Sequence, residues 1–411
     1  MKILPKTKLY IFALAPTGEG ISGSDRIFIE LAREWSKFIP VTIYTTQEGI
    51  DMMKHKKLTG KKLKIEKVEK RKLPDSFLLK YIYKIFLGIK LGFSLPITNN
   101  QSPITFLYSS SDFWMDVFPA VLLKLRFNKI KWISTWYQTA PNPLVGYKEG
   151  EREESYNLSA LFYWLSQLVS RPLIKRYANK VIVNNEDEKK QFPGMNREGK
   201  VIVLIGAVRL DEIKKYQSQI TLRLRSGQGN HKSPIFDAVF QGRFHPQKGV
   251  VELIDIWKKV VEKKPDAKLA MIGDGPLMGE VKRRITMNKL TSNVSLFGYV
   301  FDGPDKYKIF AESRVVVHPA FYDSGGMAAA EAMAFGLPAV GFNLKSYESY
   351  YPKGMIKVKT GDLNAFAKTI LRLLQKDKLR QKIGSEAREM IERSWTWTNR
   401  ANQILNQIER Q

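Results

Sequence analysis

Short apolar segments alternate with longer amphipathic segments through the N-terminal half of the chain. Ser24–Lys37 is typical of the amphipathic segments, because Ile27, Leu31 and Trp35 recur at helical spacing. The apolar segments have the length of buried strands and are separated by turn-forming residues. They predict strands at Leu9–Ala15, Val41–Thr46, Leu63–Val68, Ile104–Tyr108, Trp132–Thr135 and Lys180–Asn184. Strands that alternate with helices in this way predict a parallel sheet.

A second alternation of the same kind runs from Phe236 to Val358. Two successive arrays predict an α/β protein with two doubly wound parallel-sheet (Rossmann-like) domains, in which ligands bind at the carboxyl ends of strands. Between the arrays, the polar stretch Gln217–Ser233 is interpreted as a flexible insertion. Near the C-terminus, Ser385–Gln411 predicts a helix that is broken around Ser394–Thr398.

The segment Phe321–Pro338 carries the strongest chemical pattern. Asp323 precedes two glycines, Gly325 and Gly326, which open an alanine-rich helix that contains Glu331. The free backbone N–H groups and the dipole at such a helix start favour an anion such as phosphate. Carboxylates on both sides accept hydrogen bonds from hydroxyl groups. One anion site between two such carboxylates suits a sugar nucleotide.

This segment resembles the E-x7-E signature of the retaining glycosyltransferases of family 4, also called group 1, which have the GT-B fold. Seven residues separate Asp323 from Glu331, and the first acid is Asp rather than the commoner Glu. Three further segments resemble motifs of the family in its order and spacing. They are Gly242–Gly249 (G-R-x-x-x-x-K-G), Lys268–Pro276 (a strand and a G-D-G-P turn) and Val294–Tyr299 (V-x-F-x-G).

The resemblance implies an acceptor-binding domain at 1–208, a nucleotide-sugar donor domain at 209–393 and a final helix at 394–411 that crosses back onto the first domain. It implies catalytic roles for Asp323, Arg243 and Lys248, with the two cations clamping the diphosphate. Outside this pattern, both would be ordinary surface cations. The implied donor-binding residues are Gly242, Gly273, Gly275, Tyr299, Ser324, Gly325, Gly326, Met327 and Glu331. The resemblance also implies catalysis without a metal ion or another cofactor, and the absence of a D-x-D motif from the expected place agrees with this.

The loop Gly18–Gly23 has the spacing G-x-G-x-x-G and follows the first predicted strand. By itself this spacing also indicates a dinucleotide site, and hence an NAD-dependent oxidoreductase. That reading requires an acid at the end of the second strand, whereas Glu48 follows only after Thr45–Gln47. In the family, a glycine loop here lies at the cleft between the domains.

The acceptor side of this cleft is predicted to include Gly20, Gly23, Trp136 and Tyr137. For Trp136 and Tyr137, stacking on a sugar and packing in the core are equally open. Many family members carry a histidine just after the strand Trp132–Thr135, but here Trp136 follows instead. The departure puts a histidine-assisted step in doubt.

Composition narrows the remaining classes. The 411 residues are 44% apolar and include no cysteine, which excludes disulfides, cysteine zinc sites and a thiol nucleophile. The four histidines do not pair at metal-ligand spacing. No apolar stretch reaches the ~18 residues of a membrane helix. The first apolar run is interpreted as a strand rather than a signal segment, so a cytoplasmic location is expected.

The net charge of +27 favours anionic partners. It is densest at Lys54–Lys72, which contains ten Lys or Arg residues and two Glu. Nucleic acid is not expected, because no recognition-helix, zinc or RNP-type motif accompanies the charge. In Phe77–Phe93, Lys80, Lys84 and Lys90 share one helical arc. A basic amphipathic helix suggests peripheral docking on an anionic membrane face; a helix that covers the first sheet is the alternative.

These features lead to one main hypothesis. The chain is predicted to be a retaining, metal-independent glycosyltransferase that moves a sugar, of the hexosyl type, from a UDP- or GDP-sugar to a hydroxyl acceptor. The acceptor would be a glycan or lipid-linked molecule in cell-surface polysaccharide or glycolipid synthesis. The missing histidine, and Asn343–Tyr347 where the family often has a Gly-Gly turn, motivate a non-catalytic binder of a sugar nucleotide or anionic glycan as the alternative.

Overall fold

A computed structural model describes residues 7–17, 23–97, 105–140, 143, 147–149, 152–154, 158–225, 235–323 and 327–409. These residues divide into two compact units. The first unit contains the residues up to Ile205, except 149–151, and the segment from Trp397 onward. The second unit takes Gly206–Thr396.

The first unit is built on a seven-stranded parallel sheet in the order β3-β2-β1-β4-β5-β8-β9. Ile11 lies opposite Ile43 on one side and Tyr108 on the other, so the strand order reverses at β1. The strands are β1 Lys8–Ala13, β2 Val41–Thr45, β3 Leu63–Lys67, β4 Thr105–Ser109, β5 Lys131–Trp136, β8 Lys180–Val183 and β9 Val201–Val203, with a two-stranded ribbon of β6 Tyr147–Glu149 and β7 Arg152–Glu154. All six strands predicted in this half of the sequence are present, and each end lies within two residues of its predicted position.

The helices of the first unit cover the sheet and close its core. Trp132 and Leu107 are fully buried beneath them because strands covered on both faces bury nearly every side chain. The helices are α1 Gly23–Trp35, α2 Gln47–His55, α3 Phe77–Ser94, α4 Trp114–Arg126, α5 Leu158–Tyr177, α6 Pro193–Arg197 and α15 Trp397–Glu409, with a 3-10 turn at Asp187–Gln191.

The structure decides between the two orientations that the sequence leaves open for helix α3. Lys84, which the membrane-docking alternative places on the outer arc, is only 1% exposed and donates from Nζ to Glu48 Oε2 at 2.8 Å. The cause is the close packing of α3 on α4, because a Cβ at Gly88 would stand 2.5 Å from the carbonyl oxygen of Met115. The face carrying Lys84 therefore points inward. Besides Lys90 and Ser94, the exposed side chains of α3 are apolar, namely Phe77, Leu78, Leu79, Ile82, Phe86 and Phe93.

The second unit repeats the first architecture with a six-stranded parallel sheet in the order β12-β11-β10-β13-β14-β15. Its strand order reverses between β10 and β13, which is where doubly wound sheets bind ligands. The strands are β10 Phe236–Gln241, β11 Leu269–Ile272, β12 Val294–Leu296, β13 Ser313–His318, β14 Ala339–Phe342 and β15 Met355–Val358. The prediction of two doubly wound domains is confirmed.

Eight helices are described in the second unit. Gln217–Arg225, interpreted from sequence as part of a flexible insertion, continues helix α7 instead, and 226–234 lie outside the described residues. The helices are α7 Leu210–Arg225, α8 Val250–Val261, α9 Met278–Met287, α10 Pro304–Ala311, α11 Met327–Met333, α12 Ser346–Tyr350, α13 Leu363–Gln375 and α14 Asp377–Ser394, with a 3-10 turn at Pro246–Lys248. In the parts of the chain described, no helix is both long and apolar enough to cross a bilayer.

The predicted break in the last helix lies between α14 and α15. In the second unit, the ring of Trp395 stacks on Tyr351 at 5.5 Å between centroids. Helix α15 packs in the first unit, where Trp35 Nε1 donates to the carbonyl oxygen of Ala401 at 3.2 Å and Thr398 Oγ1 donates to Glu34 Oε2 at 2.9 Å. The predicted return of the last helix to the first domain is therefore confirmed.

Candidate functional site

Three loops meet at the carboxyl edge of the second sheet, at the point where its strand order reverses. The loop after β10 closes against the segment after β13, because Gln247 O accepts from Phe321 N at 2.9 Å and from Tyr322 N at 3.2 Å. Gly249 has φ +61°, and a Cβ there would stand 2.0 Å from the carbonyl oxygen of Pro319. Only glycine permits both this backbone conformation and this approach.

The G-D-G-P turn after β11 joins the same edge. Gly273 has φ +142°, and a Cβ there would stand 1.8 Å from the carbonyl oxygen of Gly242. Gly275 has φ +153°, and a Cβ there would stand 2.6 Å from the carbonyl oxygen of Phe244. The glycines of this motif thus bring the loops after β10 and β11 into backbone contact, which fixes where the cations of the first loop stand.

Lys248 and Arg243 lie on the loop after β10. Lys248 Nζ is 3.2 Å from Asp323 Oδ1 and 3.5 Å from the carbonyl oxygen of Tyr322. The Arg243 side chain is exposed. Burial, followed by the nearby charges of Arg243 and Lys248, lowers the pKa of His245. The neutral ring accepts a hydrogen bond at Nδ1 from Gln247 N at 3.4 Å. This loop presents positive charge beside the end of β13.

Asp323 is buried and held from three sides. Besides Lys248, it contacts His318 Nε2 at 2.9 Å and accepts from the hydroxyl of Tyr347 at 3.1 Å. Burial raises the pKa of Tyr347 well above its usual value, so this hydroxyl stays protonated and donates. The His318 ring is itself stacked on Phe240, with centroids 6.2 Å apart and planes 17° apart. The carboxylate therefore has a fixed position.

Glu331 is 2% exposed on α11, and its Oε2 accepts from Lys306 Nζ at 2.6 Å and from Gln241 Nε2 at 2.9 Å. Lys306, also buried, pairs in addition with Asp302. Sequence reasoning identified Glu331 but missed its partners. A signal was present, because Lys306 lies one helical turn before the buried Phe310 on a face that is otherwise apolar. Lys306 and Gln241 thus set the direction of the Glu331 carboxylate.

Of the remaining predicted donor-binding residues, the structure describes two and leaves three outside the described ranges. Tyr299 is half exposed and packs edge-on against Phe301 at 4.9 Å. Met327 is partly buried as the first residue of α11. Ser324, Gly325 and Gly326 lie outside the described residues, so the anion site at the start of this helix stays a prediction.

The predicted acceptor-side residues are all in the first unit. Gly23 begins α1 and is exposed, whereas Gly20 lies outside the described residues. Trp136 is fully buried, and its Nε1 donates to Thr139 Oγ1 at 2.8 Å. The hydroxyl of Tyr137, which is 9% exposed, lies 3.0 Å from that of Tyr108. Of the two alternatives left open for these side chains, packing in the core is the one that fits the structure, since both are buried and each completes its polar contacts internally.

Part of the second unit is similar in sequence to a known family. Residues 226–390 match the sequence model of the family "Glycosyl transferases group 1". An uncharacterized glycosyltransferase of Methanocaldococcus jannaschii is 26% identical over 276 residues, which are 66% of this chain and 60% of that protein, less than two thirds of its length. Phosphatidyl-myo-inositol mannosyltransferase of Mycobacterium leprae is 24% identical over 82% of this chain and 85% of that protein.

A solved structure extends the comparison to almost the whole chain. Anabaena Alr3699/HepE in complex with UDP and glucose matches with a TM-score of 0.69 at 15% identity, over 98% of this chain and 100% of that one. At this identity the likeness concerns the fold. With its two Rossmann-like units, the chain has the GT-B fold, and residues 226–390, which include the loop of Arg243 and Lys248, are similar to the group 1 glycosyltransferases.

Proposed function

We propose that this protein transfers a sugar from a nucleotide-sugar donor to a hydroxyl group of an acceptor, with the donor bound at the carboxyl edge of the second sheet. The observation that carries the proposal is the cation loop of Arg243 and Lys248 beside the fixed carboxylates Asp323 and Glu331. The Anabaena structure of the same fold is in complex with UDP and glucose, which supports a nucleotide-sugar donor.

Each side chain then has a chemical role. Departure of the nucleoside diphosphate leaves negative charge on its oxygens, and cations already in place stabilise that charge more in the transition state than in the substrate. Arg243 suits bidentate contact with a phosphate, and Lys248 supplies a point charge. Glu331 accepts hydrogen bonds from the ribose hydroxyls, and Asp323 does the same for the donor sugar.

We propose further that transfer retains the configuration of the donor sugar and proceeds without a metal ion. Retention is what the likeness to family 4 implies. Arg243 and Lys248 supply the positive charge that would otherwise come from a divalent cation.

Calorimetric titration with UDP, GDP and ADP in a buffer containing EDTA tests the donor site. One diphosphate is expected to bind selectively, and Arg243→Ala to weaken that binding by about tenfold or more, because a charge-assisted hydrogen bond is worth roughly 1.5–3 kcal/mol. Arg283→Ala is the matched control, since Arg283 is an exposed arginine on α9 that pairs with Glu280 at 2.6 Å. Failure of folded wild-type protein to bind any of the diphosphates would overturn the site.

We propose that the acceptor is a lipid-linked or surface glycan and that the protein works in the cytoplasm, at the inner face of a membrane. Helix α3 supports this with exposed apolar side chains, among them Ile82 at 53% and Phe86 at 58%. Exposed cations lie on the same helix at Lys90 and just before it at Lys70–Lys72. Exposed apolar groups flanked by cations suit an anionic bilayer. The name of the Mycobacterium leprae relative includes the lipid phosphatidyl-myo-inositol.

Flotation with lipid vesicles tests the membrane proposal. The protein is expected to float with vesicles containing anionic phospholipid and much less with neutral ones, because both apolar burial and cation attraction contribute. Ile82→Ser with Phe86→Ser is expected to reduce flotation several-fold without unfolding the protein, since both side chains are already exposed. Equal flotation with anionic and neutral vesicles would contradict the proposal.

A further inference from the structure

A pocket of about 490 Å³ lies inside the first unit, between α3 and the starts of α4 and α5. Its walls are mostly apolar, with Phe77, Leu78 and Tyr81 from α3, Phe113 and Met115 near the start of α4, and Phe162 from α5. It reaches Ala15 and Thr17, just past the carboxyl end of β1. This is the edge of the first sheet where ligands of doubly wound sheets bind.

The walls are preformed by aromatic packing. The Tyr81 and Phe162 rings meet edge-on at 4.6 Å between centroids, and Tyr81 meets Phe113 in the same way at 6.2 Å. At the mouth, Phe77 and Leu78 are 66% and 55% exposed. A volume of this size falls in the range of roughly 300–1,000 Å³ that is typical of small-molecule sites. The pocket therefore opens to the surface through apolar side chains.

Charge is concentrated at one wall. Lys80 Nζ and Lys84 Nζ, whose residues line the pocket, each lie 2.8 Å from the carboxylate of Glu48. Lys84 Nζ also donates to the carbonyl oxygen of Pro16 at 2.5 Å. Two cations share one carboxylate, so the group carries a net positive charge beside an apolar cavity. A ligand with an anionic head and an apolar body is complementary to this arrangement.

We propose that this pocket binds the hydrocarbon chain of an anionic amphiphile, with the head group of the amphiphile at Lys80. A nucleotide or a free sugar fits the pocket poorly, because its hydroxyl groups would lose their hydrogen bonds to water against aromatic walls. The assignment of this amphiphile to the acceptor rests on the proposed function. Binding of the hydrocarbon chain in the pocket is independent of the proposed function, since every residue that lines the pocket lies in the first unit.

The experiment is calorimetric titration of the full-length protein with octyl, decyl and dodecyl phosphate, each below its micelle concentration. Affinity is expected to rise with chain length by about fourfold for each CH₂ group that leaves water, until the pocket is filled. Leu78→Gln is expected to weaken dodecyl phosphate binding by about tenfold, because it removes apolar surface that the hydrocarbon chain covers as it enters the pocket. Leu79→Gln is the matched control, because Leu79 is the next residue, is 59% exposed and is outside the pocket lining.

Each outcome decides the proposal. A rise of affinity with chain length that is lost in Leu78→Gln and kept in Leu79→Gln supports it. Absence of binding, affinity that is independent of chain length, or equal losses in the two variants would overturn it. Diphosphate titration of the same protein separates the two hypotheses. Binding of UDP or GDP without binding of any alkyl phosphate would overturn the pocket proposal and support the donor site. Binding of alkyl phosphates without binding of UDP or GDP would support the pocket and overturn the donor site.

Discussion

Lys248→Ala is expected to lower kcat/KM for sugar transfer, or for hydrolysis of the donor, by about 10²–10³-fold, the usual loss when one group that stabilises developing charge is removed. The loss is expected mainly in kcat, because the charge on the leaving diphosphate appears only as the bond breaks. The structure adds a second reason. Lys248 Nζ lies 3.2 Å from the buried Asp323, so the variant also leaves that carboxylate without this cation.

Release of the nucleoside diphosphate, measured over a range of donor concentrations, checks this prediction. Lys258→Ala is the control, because Lys258 is an exposed lysine on the neighbouring helix α8. Lys248→Arg is expected to recover part of the activity, since it keeps the charge but not the compact ammonium group. A Lys248→Ala variant with the kcat of the wild type would show that Lys248 does not stabilise the transition state.

Lys306→Met is expected to lower the free energy of unfolding of the second unit by about 3–5 kcal/mol, the cost of removing one partner of a buried ion pair. Lys306 is 2% exposed in its side chain and contacts both Glu331 and Asp302. Without it, two carboxylates face each other in a site that excludes most water. We expect diphosphate affinity to fall as well, because the direction of the Glu331 carboxylate is no longer set.

Urea unfolding followed by tryptophan fluorescence measures this effect, with Trp257 and Trp395 as probes in the second unit. Lys308→Met is the matched control, because Lys308 is an exposed lysine two positions further along α10. Combining Lys306→Met with Glu331→Gln is expected to cost less than the sum of the single changes, by at least about 1 kcal/mol, since the two side chains are in contact. Strict additivity would mean that the pair contributes no coupling.

Most of the fold could be predicted from the sequence because parallel strands buried on both faces leave unbroken apolar runs. The β8 segment Lys180–Val183 is buried at all four positions. The motifs Gly242–Gly249 and Lys268–Pro276 could also be recognised from the sequence. Their glycines are required, because a Cβ at Gly249 or Gly273 would collide with backbone.

The features that the sequence left open or predicted wrongly have physical causes. The lysines of α3 leave its orientation open between a basic outer face and a helix that covers the sheet. Gly88 and Gly92, four positions apart on the same side as Lys84, decide which face meets α4. Gln217–Arg225 was interpreted as an insertion from its polarity, although Gln, Leu and Arg are good helix formers. The pairing of Lys306 with Glu331 joins residues 25 positions apart, and sequence spacing does not specify such a contact.

The packing of α15 on α1 sets an order of events during synthesis. Trp35 donates to the carbonyl oxygen of Ala401, a residue 366 positions further along the chain. The ribosome makes all of Gly206–Thr396 between these two partners. The surface of α1 that α15 covers therefore stays uncovered until residue 401 has been synthesised. The first unit, whose synthesis begins first, is thus the last to be completed.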